Sequence, residues 1–277
     1  MHLTDRQGIE ISLFLEALRR RHGYDFGGYA EASLRRRILS LQDVLKEPSI
    51  SRLTERLVHD ETFVHRVIAQ LSVPVSEMFR DPAVFSALRR EVLPRLSSFP
   101  HLNVWQAGCA HGEEVYSLAI LLQEAGLWDR TQIYATDMSD AALERAREGI
   151  YPASQLELFS RNYRESGGEV NFLDYCTVRY NLLKIRADLH QQITFANHNL
   201  AADGVFGEMH LILCRNVLIY FTEPLQQRVL ELFRSAIVRG GFLCLGSKEV
   251  LPLTGRLAEF VPAVAGLPIY RHVAPGR

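Results

Sequence analysis

Apolar positions fall into two regimes along the chain. Up to residue 71 they recur at helical spacing. Ile11, Phe14, Leu15 and Leu18 share one face, and Leu34, Ile38, Leu41 and Leu45 share another. Gly27-Gly28 separates these stretches, and Pro48-Ser49 follows the second. Leu53, Leu57, Phe63, Val67, Ile68 and Leu71 fit one or two more helices. A small helical bundle is therefore predicted over residues 8–71. From residue 102 the pattern changes. Short apolar runs at 102–106, 133–137, 193–195, 210–213 and 242–245 predict five strands. Amphipathic stretches between them predict helices. One starts at Glu113 and ends before Gly126, one covers 140–148 between Ser139 and Gly149, and one covers 223–239 before Gly240-Gly241. Such alternation predicts a mostly parallel sheet with helices on both faces.

Two stretches break the rhythm. Residues 72–82 form a junction in which Pro74 favours extended backbone. Asp81-Pro82 reads as an N-cap and first-turn pair for a helix through Arg90. Phe79 and Arg80 would then lie on a linker between two domains, where ligand sites often form; the plainer reading of Arg80 is a surface arginine. Residues 151–192 are polar and contain Ser166-Gly167-Gly168, which is too long a stretch for an ordinary αβ loop. Short strands are expected near Val170–Phe172 and Thr177–Tyr180. The expected division is a helical domain over 1–72 and an α/β domain over 73–277. A small antiparallel β subdomain is expected at about 153–192, a candidate partner-binding element.

Length and composition allow this division, since 277 residues at 47% hydrophobic suit a small domain plus a medium one. The net charge of −1 implies no nucleic-acid or anionic-membrane partner for the chain as a whole. No run of about 18 apolar residues predicts a membrane span, and Met1–Arg6 lacks a signal-peptide pattern. The four cysteines form no C-x-x-C pair, so neither a zinc nor a redox motif is expected. The apolar neighbours of Cys109, Cys214 and Cys244 suggest reduced thiols in a cytoplasmic protein. Locally the charge is uneven. Arg19, Arg20, Arg21, Arg35, Arg36 and Arg37 face only Asp25 and Glu31, a net +4 over residues 19–37. A solvated helix face accounts for this; a docking surface for an acidic partner is the sharper reading.

Candidate chemistry gathers where the predicted strands end. Ligands of parallel sheets bind beyond the carboxyl ends of the strands, and Glu113, Asp137, Asn199, Arg215 and Asn216 fall there. The loop Gly108-x-x-x-Gly112 is neither G-x-G-x-x-G nor a P-loop, which disfavours pyrophosphate. The acidic helix start Glu113-Glu114 would repel phosphate and suit a cation. Asp137, 25 residues after Gly112, is placed either to accept both ribose hydroxyls or to cap the next helix. A nucleoside with a positive centre and no phosphates fits S-adenosylmethionine.

Five segments in order carry a family resemblance. They are Ser76-Glu77-Met78-Phe79-Arg80, Ala107 to Ala119, Ala135-Thr136-Asp137, His198-Asn199-Leu200, and Cys214-Arg215-Asn216-Val217-Leu218-Ile219-Tyr220-Phe221. Over nearly all its length the chain resembles the chemotaxis receptor methyltransferases, the CheR family. The resemblance implies a class I S-adenosylmethionine-dependent methyltransferase domain of Rossmann-like α/β fold, an N-terminal all-helical domain and an inserted antiparallel β subdomain. It implies methyl transfer from S-adenosyl-L-methionine to glutamates on the cytoplasmic helical bundle of transmembrane chemoreceptors, leaving S-adenosyl-L-homocysteine. Carried onto this sequence, Ser76 and Arg80 would face the methionine part or the substrate. Gly108 would let the cofactor approach, Glu113 would meet its charged methionyl end and Asp137 would hold the ribose. Asn199 and Leu200 would border the adenine, with Arg215 and Asn216 near the sulfonium and Tyr220 close by. Family patterns differ at Pro74, Ser76, Met78, Ala110-His111 and Ser247-Lys248; His111 reads as a loop side chain rather than a catalytic one.

A receptor glutamate, with a reference pKa of about 4.3, is already a nucleophile near neutral pH and needs no general base. Catalysis would lie in orientation, with Arg80 and Tyr220 as the candidate catalytic residues. Arg35, Arg36 and Arg37 would dock on the receptor, and the enzyme would work as a monomer. Two rival readings are a cofactor-binding signalling adaptor without turnover, and a methyltransferase of nucleic acid or small molecules. The second lacks an N-P-P-Y signature.

Overall fold

Helical periodicity becomes four helices at the start of the chain. The computed structural model describes residues 6–72 and 74–273. The helices are α1 (Arg6–His22), α2 (Glu31–Leu45), α3 (Ile50–His59) and α4 (Phe63–Leu71). The apolar faces close on one core that includes Phe14, Leu18, Ile38, Leu53, Leu57 and Val67. Ser49 caps α3, its hydroxyl accepting from the Arg52 N–H at 3.3 Å.

The junction departs from expectation. Pro82 opens α5 (Pro82–Ala87), but Asp81 does not cap it. Asp81 sits in the left-handed region (φ 56°), and its side chain makes no cap hydrogen bond. Its carboxylate turns instead to Arg215, 2.6 Å away. Nor does the helix run straight through Arg90. It passes through a π-helical turn, Leu88–Val92, into α6 (Leu93–Leu96). Pro94 supplies the reason, since its ring cannot donate and would clash with the carbonyl four residues back.

The α/β part runs in chain order through β1 (Leu102–Ala107), α7 (Glu113–Glu124), β2 (Thr131–Asp137), α8 (Asp140–Glu148), β3 (Ile150–Pro152), α9 (Leu156–Glu165), β4 (Cys176–Arg179), β5 (Leu182–Ile185), β6 (Ile193–Asn197), β7 (Met209–Cys214), α10 (Glu223–Ala236), β8 (Ile237–Leu245), β9 (Phe260–Pro262) and β10 (Ile269–His272). Seven strands form one sheet in the order β6-β2-β1-β7-β8-β10-β9. The first five are parallel; β10 is antiparallel to both β8 and β9. Both faces are buried: Val104 packs into one apolar cluster and its neighbour Trp105 into the other. The short final pair β9–β10 was not among the expected strands. Helix α10 also stops three residues early, because Ile237 already begins pairing with Met209.

The insertion holds a three-stranded antiparallel sheet, β3-β5-β4. It draws in Ile150–Pro152, upstream of the expected boundary. The strand expected at Val170–Phe172 is absent. There the Asn171 side chain accepts from the Leu173 N–H at 3.0 Å and starts a 3-10 turn over Phe172–Tyr175. Among the described residues no helix is long and apolar enough to cross a membrane.

Main-chain pairing joins the helical unit to the sheet unit. Ala30 N–H donates to Tyr220 O and Thr222 N–H to Gly28 O, both at 2.8 Å. A Cβ at Gly28 would stand 2.8 Å from Leu225 Cδ2, so only glycine lets the two approach this closely. Residues of the junction between α4 and α5, Ser72, Ser76 and Arg80 among them, line one cleft with residues at the carboxyl ends of β1, β2 and β7.

Candidate active site

The loop after β1 turns on Gly108 (φ 74°) and Gly112 (φ 88°). At Gly108 a Cβ would also come within 2.5 Å of Val217 Cγ2. Gly108 and Cys109 donate their N–H groups to Thr136 O at 2.8 and 2.9 Å, folding the loop over the end of β2. Asp137 follows at once. Its Oδ2 accepts from the Ala110 N–H and its Oδ1 from the Ser139 N–H, each at 3.0 Å. Burial raises its pKa, while these N–H groups pull it back. Each oxygen keeps a lone pair for another donor.

Asp137 lines a cleft of about 900 Å³, open solvent at its mouth included. Ser76, Arg80, Gly108, Asn199, Leu200, Arg215, Asn216 and Tyr220 line the same cleft. Of the expected cofactor and catalytic residues, Glu113 is the exception. Neighbours on a helix point about 100° apart, and here Glu114 faces the cleft while Glu113 turns inward. Glu113 is buried, its Oε2 has no partner among the described residues, and burial pushes its pKa up to about 7. Glu114 accepts from Gln106 Nε2 at 2.9 Å and pairs with Arg215. His111 is not in the lining; its carbonyl accepts from the Tyr151 hydroxyl, and burial lowers its pKa.

The far wall follows β7. The Arg215 side chain is wholly buried and bridges Glu114 and Asp81. Desolvation works against its charge, and the two carboxylates outweigh that cost, so its pKa is raised. Asn216 is left-handed (φ 60°). Glu249 fixes this turn. Its carboxylate accepts from the N–H groups of Asn216, Val217, Leu218 and Gly246 at 3.0, 2.8, 2.7 and 2.5 Å. Glu249 escapes a reading of the sequence because three of its four partners, those in the Asn216 turn, lie 31–33 residues earlier.

The helical unit supplies the roof. Arg37, expected on the docking face, is buried there instead. Its guanidinium donates to Leu71 O and to Ser33 Oγ, the latter at 3.0 Å, and lies 4.7 Å from the Tyr220 ring centroid. The spacing carried the signal: Leu34, Arg37, Ile38 and Leu41 fall on one helical face. Arg36 stays exposed, and Arg35 donates to Gln7. Neither lines the cleft. Tyr29, which was not anticipated, lines it and donates to Met138 Sδ at 3.4 Å. Arg80 also lines it, half-buried, and no hydrogen bond or ion pair holds its side chain among the described residues.

This cleft suits a nucleoside with a positive centre. Asp137 offers acceptors to paired hydroxyls. Gln106 Oε1 is buried without a partner among the described residues, and beside it Glu114 can meet an ammonium group. S-adenosylmethionine has these features, and this sheet, with its antiparallel last pair, is that of a class I methyltransferase. Family models narrow the class. Residues 74–265 match the CheR methyltransferase SAM-binding domain, and residues 9–72 match the CheR methyltransferase all-alpha domain. The chain belongs to the CheR methyltransferases, with S-adenosylmethionine as cofactor.

It is similar to the putative methyltransferase Cher3 of Pseudomonas putida, 45% identical over 263 residues, which cover 95% of this chain and 96% of that protein. A chemotaxis protein methyltransferase of Listeria monocytogenes is 34% identical over 238 residues, 85% of this chain and 88% of that one. Among solved structures, the glycopeptide N-methyltransferase MtfA complexed with sinefungin aligns at 13% identity and a TM-score of 0.38, over 62% of this chain and 50% of that one.

Proposed function

We propose that this methyltransferase esterifies glutamate side chains on the cytoplasmic helical bundle of chemoreceptors, working in the cytoplasm as a monomer. In this reading residues 1–72 form the receptor-facing helical domain. Residues 73–277 form the catalytic domain, with the β subdomain as a further contact for the receptor. One observation carries the proposal. Arg80 brings a half-buried cation into the cleft, and no side chain or carbonyl among the described residues engages it. An anion suits such a group, the acceptor carboxylate or the methionyl carboxylate of the cofactor beside it, and an amine would not.

When bound, S-adenosylmethionine supplies an electrophilic methyl on a sulfonium. The chain's own residues do the rest. Asp137 holds the ribose, Asn199 and Leu200 border the adenine, and Gln106 and Glu114 receive the methionyl ammonium. Ser76, Arg215 and Asn216 complete the wall near the sulfonium. Arg80 orients the glutamate carboxylate by a charge-assisted hydrogen bond, and the Tyr220 hydroxyl contacts its other oxygen. The carboxylate is already ionised, so no side chain has to take a proton, and orientation carries the rate. Arg36, exposed on α2, meets the acidic receptor surface. The test is transfer of labelled methyl to receptor cytoplasmic fragments, with base-labile label expected. Cofactor binding without transfer to any receptor fragment would favour the adaptor reading instead.

A further inference from the structure

Arg80 stands between two residues in the left-handed region, Phe79 at φ 52° and Asp81 at φ 56°. That conformation is costly for any non-glycine residue, above all a bulky aromatic. It persists only where the surroundings enforce it, and such strain concentrates at functional sites.

Here the surroundings are explicit. Phe79 N–H donates to Ser117 Oγ at 2.8 Å, and its fully buried ring meets Phe85 and Tyr163 edge-on, centroids 5.2 Å away in each case. Met78 is buried too, and its carbonyl accepts from Asn162 Nδ2 at 3.0 Å. Asp81 gives up the capping of α5, and its carboxylate accepts from Arg215 Nη2 at 2.6 Å. Arg215 is in turn fixed by Glu114. From Met78 to Asp81, the residue left without such a tie among the described residues is Arg80, the one facing the cleft.

We infer that Asp81 and Asn162 are positioning residues: they hold the strained bend from Met78 to Asp81 and so fix where the Arg80 guanidinium stands. Asn162 lies on α9, within the inserted segment. The insertion therefore has a task at the catalytic cleft, separate from any partner its strands engage. The inference rests on the reading of Arg80 as the group that orients the acceptor carboxylate.

The test is a pair of double-mutant cycles on the full chain, measuring methylation of receptor fragments. Asp81→Ala and Asn162→Ala should each lower kcat/KM for the receptor about 10-fold to 100-fold, the loss expected from a small misplacement. For Asn162→Ala, affinity for S-adenosylhomocysteine should stay within about threefold, since Asn162 lines no part of the cleft and touches none of the nucleoside wall. In an Arg80→Ala background neither substitution should lower activity further. Losses that add in full to that of Arg80→Ala would overturn the inference. Asp81→Asn keeps an acceptor for Arg215 and should recover most of the activity. Should Asp81→Ala fail to fold, Asn162→Ala removes no charge and carries the same cycle.

Crystal structures of the variants with bound S-adenosylhomocysteine give a readout without turnover. A displaced Arg80 supports the inference, and an unmoved one contradicts it. Wild-type protein that binds the product yet methylates no receptor would refute the glutamate reading and leave this structural test standing.

Discussion

Asp137 and Arg80 face the same cleft under opposite conditions. On the strand-end wall three charged side chains are already engaged: Asp137 by two backbone N–H groups, Arg215 by two carboxylates, Glu249 by four N–H groups. On the linker wall the order lies in the backbone, and Arg80 ends in the cleft without a protein partner among the described residues. A wall fixed in advance suits a ligand of one constant shape, the cofactor. A wall with a waiting cation suits an acceptor whose backbone arrives from another protein.

The largest expected effects separate the two walls. Asp137→Ala should weaken binding of S-adenosylhomocysteine by roughly 100-fold or more in calorimetry, because two charge-assisted hydrogen bonds worth about 1.5–3 kcal/mol each are lost. Arg80→Ala should leave that affinity far less changed and lower kcat/KM for receptor fragments about 100-fold. If the two variants lose cofactor affinity equally, the division between the walls disappears. Glu249→Ala tests whether the first wall is built in advance. Four N–H groups would lose one buried acceptor, costing about 3 kcal/mol and lowering Tm by roughly 6–12 °C for a chain of this size.

A pH experiment sharpens the contrast further. Burial raises the Glu113 pKa from 4.5 to about 7, so the folded state binds a proton more tightly than the unfolded one. The folded chain then loses stability as pH rises from about 4.5 to about 7, by up to about 3 kcal/mol, and the loss levels off above that. Denaturation of wild type and Glu113→Gln across this window checks it: the variant should lack this part of the slope. The smallest effect belongs to the docking surface. Arg36→Glu should lower receptor methylation a few-fold, more at low salt, without altering cofactor affinity. Equal loss of both would mean that the substitution disturbs the fold.

The two walls were unequally legible in the sequence. Strand ends are marked by apolar runs that stop at a polar residue, so Asp137, Asn199 and Arg215-Asn216 could be placed before the structure. Periodicity also distinguishes Arg37 from Arg36, since only Arg37 falls with Leu34, Ile38 and Leu41, although the run of three arginines reads as one charged face. Contacts between distant segments left no local trace. Glu249 follows β8 as one acid among polar neighbours, and nothing near it in sequence points to the turn at Asn216. Asp81 precedes a proline and has the pattern of an N-cap; its turn toward Arg215 arises only once β7 and the linker meet. The three-residue β3 is too short for a pattern of its own and exists because β5 pairs with it.

The most direct measurement of the central claim is methyl transfer from labelled S-adenosylmethionine to a receptor cytoplasmic fragment, compared among wild type, Asp137→Ala and Arg80→Ala. The account predicts base-labile label on receptor glutamates with wild type. At cofactor concentrations that just saturate wild type it predicts little with Asp137→Ala for want of cofactor, recovering as cofactor is raised, and little with Arg80→Ala despite bound cofactor. Label on another class of side chain, or full activity in Arg80→Ala, would contradict it.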